Sequence, residues 1–435
     1  MNGENTKLGT QKIPKLILSF STTVLAGLVF NSVYTLTDTL FISHAVGDNA
    51  MGGVSLILPF TILQGAIATT VGSGASAIVS RKLGEGKNGE AGNVTFNAML
   101  IFYVTAIITT LLGFAFMNPL LKALGCTGKL EIYAKEYFTI ILLGNVFSTG
   151  FSSIIRAEGK MLYGMLIWII PISINIILDA VFILVLDMGV KGSALATIIC
   201  QFTSFLMSML FFTRFTAQKF KGVRPDKKTA IEIIGIGLPS LIQSGSLSVM
   251  SAIFNNVLSK VSGEMGVTAF AYVSKIITFG LAPLTAFSSA LVPVAGYNLG
   301  AKKYDRVKHS VIFCIKLSII YSLVAIILVQ SVPELLIGIF TDAKEIIILA
   351  SKGIRIISFS LLFASVPMIT GAFYQSAGKK GRAFVMFSAT LIFAIPLILI
   401  LPKFWEIEGI WLSYTLASLF AAVLGIGFFK KFEHN

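Results

Sequence analysis

The sequence predicts an all-α, polytopic membrane protein with twelve transmembrane helices in two pseudo-symmetric six-helix lobes. Hydrophobic residues make up 55% of the 435 residues and charged residues only 12%, about half the charged share of an ordinary soluble protein. Apolar runs longer than the roughly 20 residues that cross a bilayer core recur along the whole chain. Matching turns in the two halves stand at a nearly constant offset, which predicts an internal repeat.

The apolar runs give the spans in chain order. Six runs with short polar connections end before Arg214, and six more follow from Thr229. Several runs exceed what a perpendicular helix needs, so we expect tilted or extended helices. The predicted spans are about 13–43, 50–82, 90–117, 131–156, 160–186, 191–213, 229–260, 266–298, 306–334, 347–376, 382–402 and 407–430.

The longest polar connection divides the chain into its predicted domains. Residues 214–229 carry Gly222, Pro225 and most of the mid-chain charge, a composition typical of a linker. We therefore predict an N-terminal six-helix lobe at 1–213, a cytoplasmic linker at 214–229 and a C-terminal six-helix lobe at 230–435.

The two halves match one another at their turns. Gly47 and Gly263 are 216 residues apart, and so are Gly84 and Gly300, so the first two helices of each half align without a gap. Six helices per repeat is an even number, which makes the repeats parallel. In transporters with such repeats, the substrate site lies near the midplane at the repeat interface.

The formal net charge of +14 is a topology signal. With the N-terminus inside, the predicted cytoplasmic segments hold 23 Lys and Arg residues and the outer segments eight. This asymmetry follows the positive-inside rule, so we predict a multi-pass protein of the cell (inner or plasma) membrane with both termini cytoplasmic. We expect membrane lipid but no nucleic acid as a partner, and we expect a monomer.

Two acids inside apolar runs are the main candidates for function. A carboxylate at the centre of a spanning helix costs roughly 2.5–3.5 kcal/mol even on lenient scales, and Asp38 and Asp179 are the acids set deepest in such runs. Asn175 lies one turn from Asp179 on the same helix face. Asp38, Asp179 and Thr197 all lie about two turns or less from the predicted outer ends of their helices.

These four side chains predict a cation site. Two carboxylates, an amide oxygen and a hydroxyl could form an oxygen-lined cage for a hard cation such as Na+. The two acids could instead bind protons, because desolvation and like-charge repulsion both favour a neutral carboxyl group. In a third interpretation, the polar groups only hydrogen-bond across helix interfaces. We predict that the site is formed by Asp38, Asn175, Asp179 and Thr197.

Six stretches of the sequence are informative as a set. They are Thr37-Asp38-Thr-Leu-Phe-Ile, Arg156-Ala-Glu-Gly159, Asn175-Ile-Ile-Leu-Asp179, Gly189-Val-Lys-Gly192-Ser-Ala-Leu-Ala-Thr197, Gly296-Tyr-Asn-Leu-Gly300-Ala-Lys302 and Ser376-Ala-Gly378-Lys379. In this order and spacing the chain resembles the multidrug and toxic compound extrusion (MATE) family. The resemblance implies a V-shaped pair of six-helix lobes, cation-coupled efflux of amphipathic, often cationic drugs, and a cation site in the first lobe at the four positions named above.

The sequence departs from relatives in two ways. Many of them have a proline in the first helix, but the repeat offset places Thr23 opposite Pro239, so a proton-driven bend in the first helix is not expected. Some relatives also keep acids in the second lobe, on its first and fourth helices. This chain has no buried acid there, so we expect coupling to be concentrated in the first lobe.

We predict a secondary active antiporter that works by alternating access, and not an enzyme. The coupling ion is Na+ or H+, and no other cofactor is expected, since the chain has no GxxxxGK[ST] nucleotide motif. An alternative is a lipid-linked oligosaccharide flippase of the same superfamily. Position alone makes Asn31, Tyr34, Asn256 and Tyr272 candidates for the substrate cavity.

Overall fold

The computed structural model describes residues 3–123, 128–147 and 150–433. Over these residues the chain is helical and contains no β-strand. The helices before the predicted linker are α1 (Gly3–Thr10), α2 (Ile13–Ala45), α3 (Asp48–Gly84), α4 (Asn88–Ala115), α5 (Met117–Ala123), α6 (Lys129–Gly144), α7 (Phe151–Ala157), α8 (Met161–Asp179) and α9 (Gly189–Arg214).

The helices after the linker complete the set. They are α10 (Lys227–Gly300), α11 (Tyr304–Ser331), α12 (Pro333–Gly338), α13 (Lys344–Ile357), α14 (Ser360–Ser376), α15 (Lys380–Ile400) and α16 (Pro402–Glu433).

The number of membrane spans agrees with the sequence prediction. Among the described residues, 10 helices are long and apolar enough to cross a membrane, and the pair α13 and α14, bent by 44°, makes an eleventh span. The 74-residue α10 is two helices merged across Gly263, whose φ is 63°, so it counts as two spans and brings the total to twelve. The prediction of an all-α polytopic membrane protein is confirmed.

The chain divides into two compact units. Unit 1 consists of Met1–Leu8 and Thr23–Gly237, and unit 2 consists of Gly9–Thr22 and Leu238–Asn435. Residues 9–22 are therefore grouped with the second half of the chain and residues 230–237 with the first, unlike the domain boundaries predicted from sequence. Those boundaries were drawn from the longest polar connection in the sequence, and they stay a prediction.

Each unit has its own apolar core. In unit 1 the buried side chains of Ile42, Phe138 and Ala194 form one cluster with neighbours from α2, α3, α6 and α9. In unit 2 a larger cluster contains Phe254 and Trp411, both fully buried. Small residues let helices approach closely within unit 1; a Cβ added at Gly72 of α3 would lie 2.9 Å from the Gly150 carbonyl oxygen.

Two spans of unit 1 are irregular near their polar residues. The fourth span changes from α6 into a 3-10 turn at Asn145–Phe147 before α7 begins at Phe151. The fifth span changes from α8 into a π-helical turn at Ala180–Val185, directly after Asp179. A π-helical turn widens the helix by one residue and often occurs at functional sites.

The linker is bound closely to unit 1. The fully buried carboxylate of Glu158 accepts hydrogen bonds from the Thr216 hydroxyl, the Ala217 N–H and the Gln218 amide at 2.5, 2.8 and 2.6 Å. The backbone N–H of Lys219 donates to the Asn88 carbonyl at 3.0 Å. The connection after α9 is therefore part of the folded unit.

Candidate functional site

Helix α2 provides the first acid of the predicted cation site. Tyr34 and Asp38 lie one turn apart on this helix and so share a face, and both side chains are partly buried. The Ser193 hydroxyl, on α9, donates a 2.7 Å hydrogen bond to Oδ1 of Asp38. The Asp38 carboxylate is thus hydrogen-bonded to a residue of a second helix.

Helix α8 provides the second acid and the amide. Asn175 and Asp179 are both 0% exposed. Neither polar atom of the Asn175 amide and neither carboxylate oxygen of Asp179 has a hydrogen-bond partner among the described residues. Buried polar groups are nearly always paired with protein, water or an ion, so four unpaired atoms on adjacent turns point to a ligand.

The two acids lie close enough to affect one another. The carboxylates of Asp38 and Asp179 interact electrostatically across the helix interface. The Thr197 hydroxyl on α9 is 3.4 Å from the Tyr34 hydroxyl on α2. The structure therefore brings Asp38, Asn175, Asp179 and Thr197 to one region of unit 1, where α2, α8 and α9 meet.

Two further residues belong to this region and are absent from the sequence prediction. Ser193 precedes Thr197 by one helical turn, so the spacing of polar residues on one face of α9 could have revealed it. Tyr137 on α6 is buried and interacts electrostatically with Asp38 and Asp179. It directly follows Lys135 and Glu136, and this context does not distinguish it from a surface residue near a helix end, so only the tertiary structure identifies it.

A cavity in unit 1 adjoins these polar groups. Its volume is about 230 Å³, and its lining includes Tyr34 and Thr197 of the acid region. Side chains of Phe147, Trp168 and Gln201 also line it, and among the described residues no Asp, Glu, Lys or Arg does so. An aromatic, uncharged lining suits amphipathic molecules bound without a fixed set of polar contacts.

The four predicted substrate residues do not share one cavity in unit 1. Asn31 and Tyr34 line the cavity described above. Asn256 and Tyr272 belong to unit 2, where Asn256 is exposed and Tyr272 stacks on Phe340 with ring centroids 5.6 Å apart. The role of all four in substrate binding stays a prediction.

The donor atoms at the acid region fit a small hard cation. Asp38 and Asp179 supply carboxylate oxygens, Asn175 an amide oxygen and Thr197 a hydroxyl, which are ligands that such ions prefer. The two oxygens of Asp179 are buried and free of protein partners among the described residues. The same two acids could hold a proton in place of a metal cation.

Comparison with known proteins finds a matching family model and similar multidrug export proteins. The family model described as MatE matches residues 24–181 and 239–400. The multidrug export protein MepA of Staphylococcus aureus is 24% identical over 417 residues, which is 94% of this chain and 92% of that protein. MepA of Staphylococcus haemolyticus is 23% identical over 419 residues, 95% of this chain and 92% of that protein.

Solved structures share the fold. A crystal structure of MATE in the bent conformation superposes with a TM-score of 0.90 at 22% identity, covering 98% of this chain and 96% of that one. A MOP superfamily transporter from Pyrococcus furiosus superposes with a TM-score of 0.89 at 22% identity, covering 98% and 97%. The two-lobed, many-helix architecture predicted from sequence is thus confirmed.

Proposed function

The chain belongs to the MatE family of multidrug and toxic compound extrusion transporters, and from this premise we propose that it exports amphipathic or cationic drugs in exchange for Na+ or H+. The family consists of membrane transporters, not enzymes. The relatives named MepA are multidrug export proteins, which supports drug export for this chain.

The coupling step is proposed to occur at Asp38 and Asp179. The observation that carries it is the burial of Asn175 and Asp179 with no hydrogen-bond partner for four polar atoms among the described residues. An unpaired buried carboxylate costs several kcal/mol, and a bound cation or proton would remove most of that cost. Ion binding therefore stabilises the arrangement in which α2, α8 and α9 are together.

The membrane potential and the ion gradient drive the cycle. A cation that enters from outside binds at the acids and favours one conformation, while drug binding from the cytoplasm favours the other. Each net positive charge that enters per drug molecule exported contributes about 2.3 kcal/mol per 100 mV of membrane potential; a monovalent drug cation that leaves cancels one entering charge. By the rule of tenfold per 1.4 kcal/mol, one net charge at 100 mV corresponds to roughly fifty-fold drug accumulation.

The cavity of unit 1 supports the proposed substrate class. Its aromatic side chains offer stacking surfaces, and its hydroxyl and amide groups at Tyr34, Thr197 and Gln201 are weak polar contacts. A lipid-linked oligosaccharide carries phosphate groups, for which we would expect Lys or Arg in the lining. The described lining residues include neither, which favours drug export over the flippase alternative.

The proposal also covers the orientation of the chain in the membrane and the number of chains that transport drug. We place both termini in the cytoplasm and the protein in the cell membrane, as the excess of Lys and Arg in the predicted inner loops indicates. We also propose that the monomer transports drug, because each element of the acid region comes from one chain.

Ethidium transport in membrane vesicles tests this function. Inverted vesicles that contain the protein are given a sodium gradient or a pH gradient in separate runs, and vesicles without the protein are the control. Ethidium accumulation driven by at least one gradient, and abolished when an ionophore collapses it, is the expected result. Accumulation that matches the control under both gradients would reject the proposal.

A further inference from the structure

The fourth span of unit 1 is interrupted near its middle. Helix α6 ends at Gly144 and the 3-10 turn Asn145–Phe147 follows. Such a turn shifts the backbone hydrogen bonds from the i−4 to the i−3 carbonyl and leaves polar groups to be satisfied by other partners. In the apolar part of a membrane protein those partners must come from the protein or from bound water.

The side chain of Asn145 ties the turn to α4. The two hydrogens of its amide nitrogen are shared among three acceptors, the Ala106 carbonyl at 3.1 Å and the hydroxyls of Thr109 and Thr110 at 2.8 and 3.1 Å. Asn145 is 4% exposed. These contacts account for the nitrogen of the amide and make the turn a fixed feature of the fold.

A small cavity with polar groups in its lining adjoins the turn at Asn145. Its volume is about 20 Å³, and Gln64, Thr105, Thr109 and Asn145 contribute to its lining. Gln64 on α3 is 9% exposed, and its amide nitrogen has no hydrogen-bond partner among the described residues. A cavity needs only about 10–15 Å³ of this kind of volume to hold a water molecule.

We propose that this cavity is a binding site for one water molecule. The Gln64 amide would donate to the water. The Thr105 and Thr109 hydroxyls, whose hydrogens already point to the Ile101 and Thr105 carbonyls, would accept from it. Three polar partners are typical of a buried water. With no ionised side chain in the described lining, the site suits a neutral ligand and not an ion.

The bound water positions one wall of the larger cavity. Phe147 is the last residue of the same 3-10 turn, lines the cavity of about 230 Å³ and packs edge-on against Phe202 with ring centroids 4.9 Å apart. The water would bond to the Thr109 hydroxyl, which also accepts from the Asn145 amide, and in this way it supports the turn and the position of the Phe147 ring. This second step rests on the proposed drug transport, whereas the water site does not.

The substitution Gln64→Leu tests the water site, because the direction in which it changes the apparent Tm depends on whether water is bound. If water satisfies the amide, leucine removes one of the partners of that water and lowers the apparent Tm of the purified transporter. If the amide is truly unpaired, replacing it by an apolar group leaves the Tm unchanged or raises it, and the proposal is rejected. Thr69→Val is the control, since the bond found for this exposed hydroxyl within the described part of the chain is to the Gly65 carbonyl of its own helix.

An experimental density map of the wild-type protein provides a second, independent readout. We expect density for a water about 2.7–3.2 Å from the amide nitrogen of Gln64. A map that resolves other buried waters but shows none here would overturn the inference. These two measurements need no drug, so the water site can fail while the proposed function stands, and the reverse also holds.

Drug transport then tests the positioning of Phe147. In Gln64→Leu we expect the ethidium concentration for half-maximal efflux to change about threefold or more, with efflux still driven by the ion gradient. The same concentration in Thr69→Val is expected to match wild type. An unchanged value in Gln64→Leu would contradict the link from the water to the cavity wall.

Discussion

The hydroxyl of Ser193 donates a 2.7 Å hydrogen bond to Oδ1 of Asp38, from α9 to α2. Ser193 is fully buried and Asp38 is partly buried. The bond orients one carboxylate oxygen and leaves the other available to an ion. In the proposed cation site, Ser193 therefore orients Asp38 although it carries no charge of its own.

Ser193→Ala is expected to weaken Na+ binding, because the Asp38 carboxylate loses the bond that orients it toward the ion. A hydrogen bond to a charged group contributes about 1.5–3 kcal/mol, so with Na+ as the coupling ion the sodium concentration for half-maximal efflux should rise roughly tenfold or more. The same bond favours the charged carboxylate, so with H+ as the coupling ion the proton concentration for half-maximal efflux should fall instead. Efflux assayed at a series of sodium concentrations and pH values measures this. The control is Thr203→Val, a partly buried threonine on the same helix whose hydroxyl donates to the Ile199 carbonyl. Equal half-maximal concentrations in both variants would contradict the role of Ser193.

Gly237→Ala is expected to destabilise unit 1. Glycine at this position lets α10 approach the backbone of α3, because an added Cβ would overlap the Thr70 carbonyl. Backbone atoms cannot move aside as a side chain can, so overpacking should cost about 1–3 kcal/mol. Thermal unfolding followed by fluorescence measures this.

Gly245→Ala is the matched control on the same helix. Nothing lies within 4 Å of a Cβ placed at Gly245, and alanine is a better helix former than glycine by about 0.8–1.0 kcal/mol. The apparent Tm should therefore stay the same or rise. If both alanine variants lower the Tm equally, close backbone packing is not the reason for Gly237.

Glu158→Ala is expected to release the linker from unit 1. The substitution leaves the Ala217 N–H and the Gln218 amide without their acceptor, and each unsatisfied buried group costs about 1–3 kcal/mol. Limited proteolysis between Thr216 and Asp226 should become faster. Glu232→Ala is the control, since the Glu232 side chain is 47% exposed in its 3.4 Å ion pair with Arg81. An equal increase in cleavage in this variant would argue against a specific role of Glu158.

The pH dependence of stability should include a contribution from Glu158. Burial raises the pKa of Glu158 above its ordinary value of 4.5, while hydrogen bonds from the linker and the charge of Lys160 oppose the shift. A raised pKa means that the folded state binds the proton more tightly. Its contribution to stability is thus complete below about pH 4.5 and is lost as the pH rises through the raised pKa.

Comparing the Tm of wild type and Glu158→Gln at pH values from 4 upward measures this contribution. The neutral variant should lose less stability than wild type over the interval in which Glu158 ionises. Parallel Tm curves for the two proteins would show that the carboxyl group titrates alike in the folded and unfolded states.

Unit 2 has an apolar core at the positions that match the acids of unit 1. The 216-residue offset places Phe254 opposite Asp38, and the offset of 219 residues between Gly159 and Gly378 places Ile398 opposite Asp179. Phe254 and Ile398 pack in the same buried cluster. This agrees with the expectation that coupling is concentrated in the first lobe.

The sequence was sufficient to predict the helices and the residues that meet in the acid region. Both depend on short segments, because the burial of apolar runs and the cost of a buried charge can be judged from a few neighbouring residues. The break at Gly263 was predicted from a turn signal. The breaks at Asn145 and between Ile357 and Ser360 were missed, since both lie inside apolar runs whose length alone indicates one helix. Tyr137 and the water-sized cavity at Gln64 depend on contacts between distant segments.

Gradient-driven ethidium efflux in Asp38→Asn and Asp179→Asn is the most direct test of a cation shared by the two acids. Each variant keeps the size of the side chain and removes its charge, and sodium and pH gradients are imposed separately on cells or inverted vesicles. We predict that both variants are present in the membrane at wild-type levels and lose gradient-driven efflux. If both retain it, the assignment of coupling to Asp38 and Asp179 is wrong.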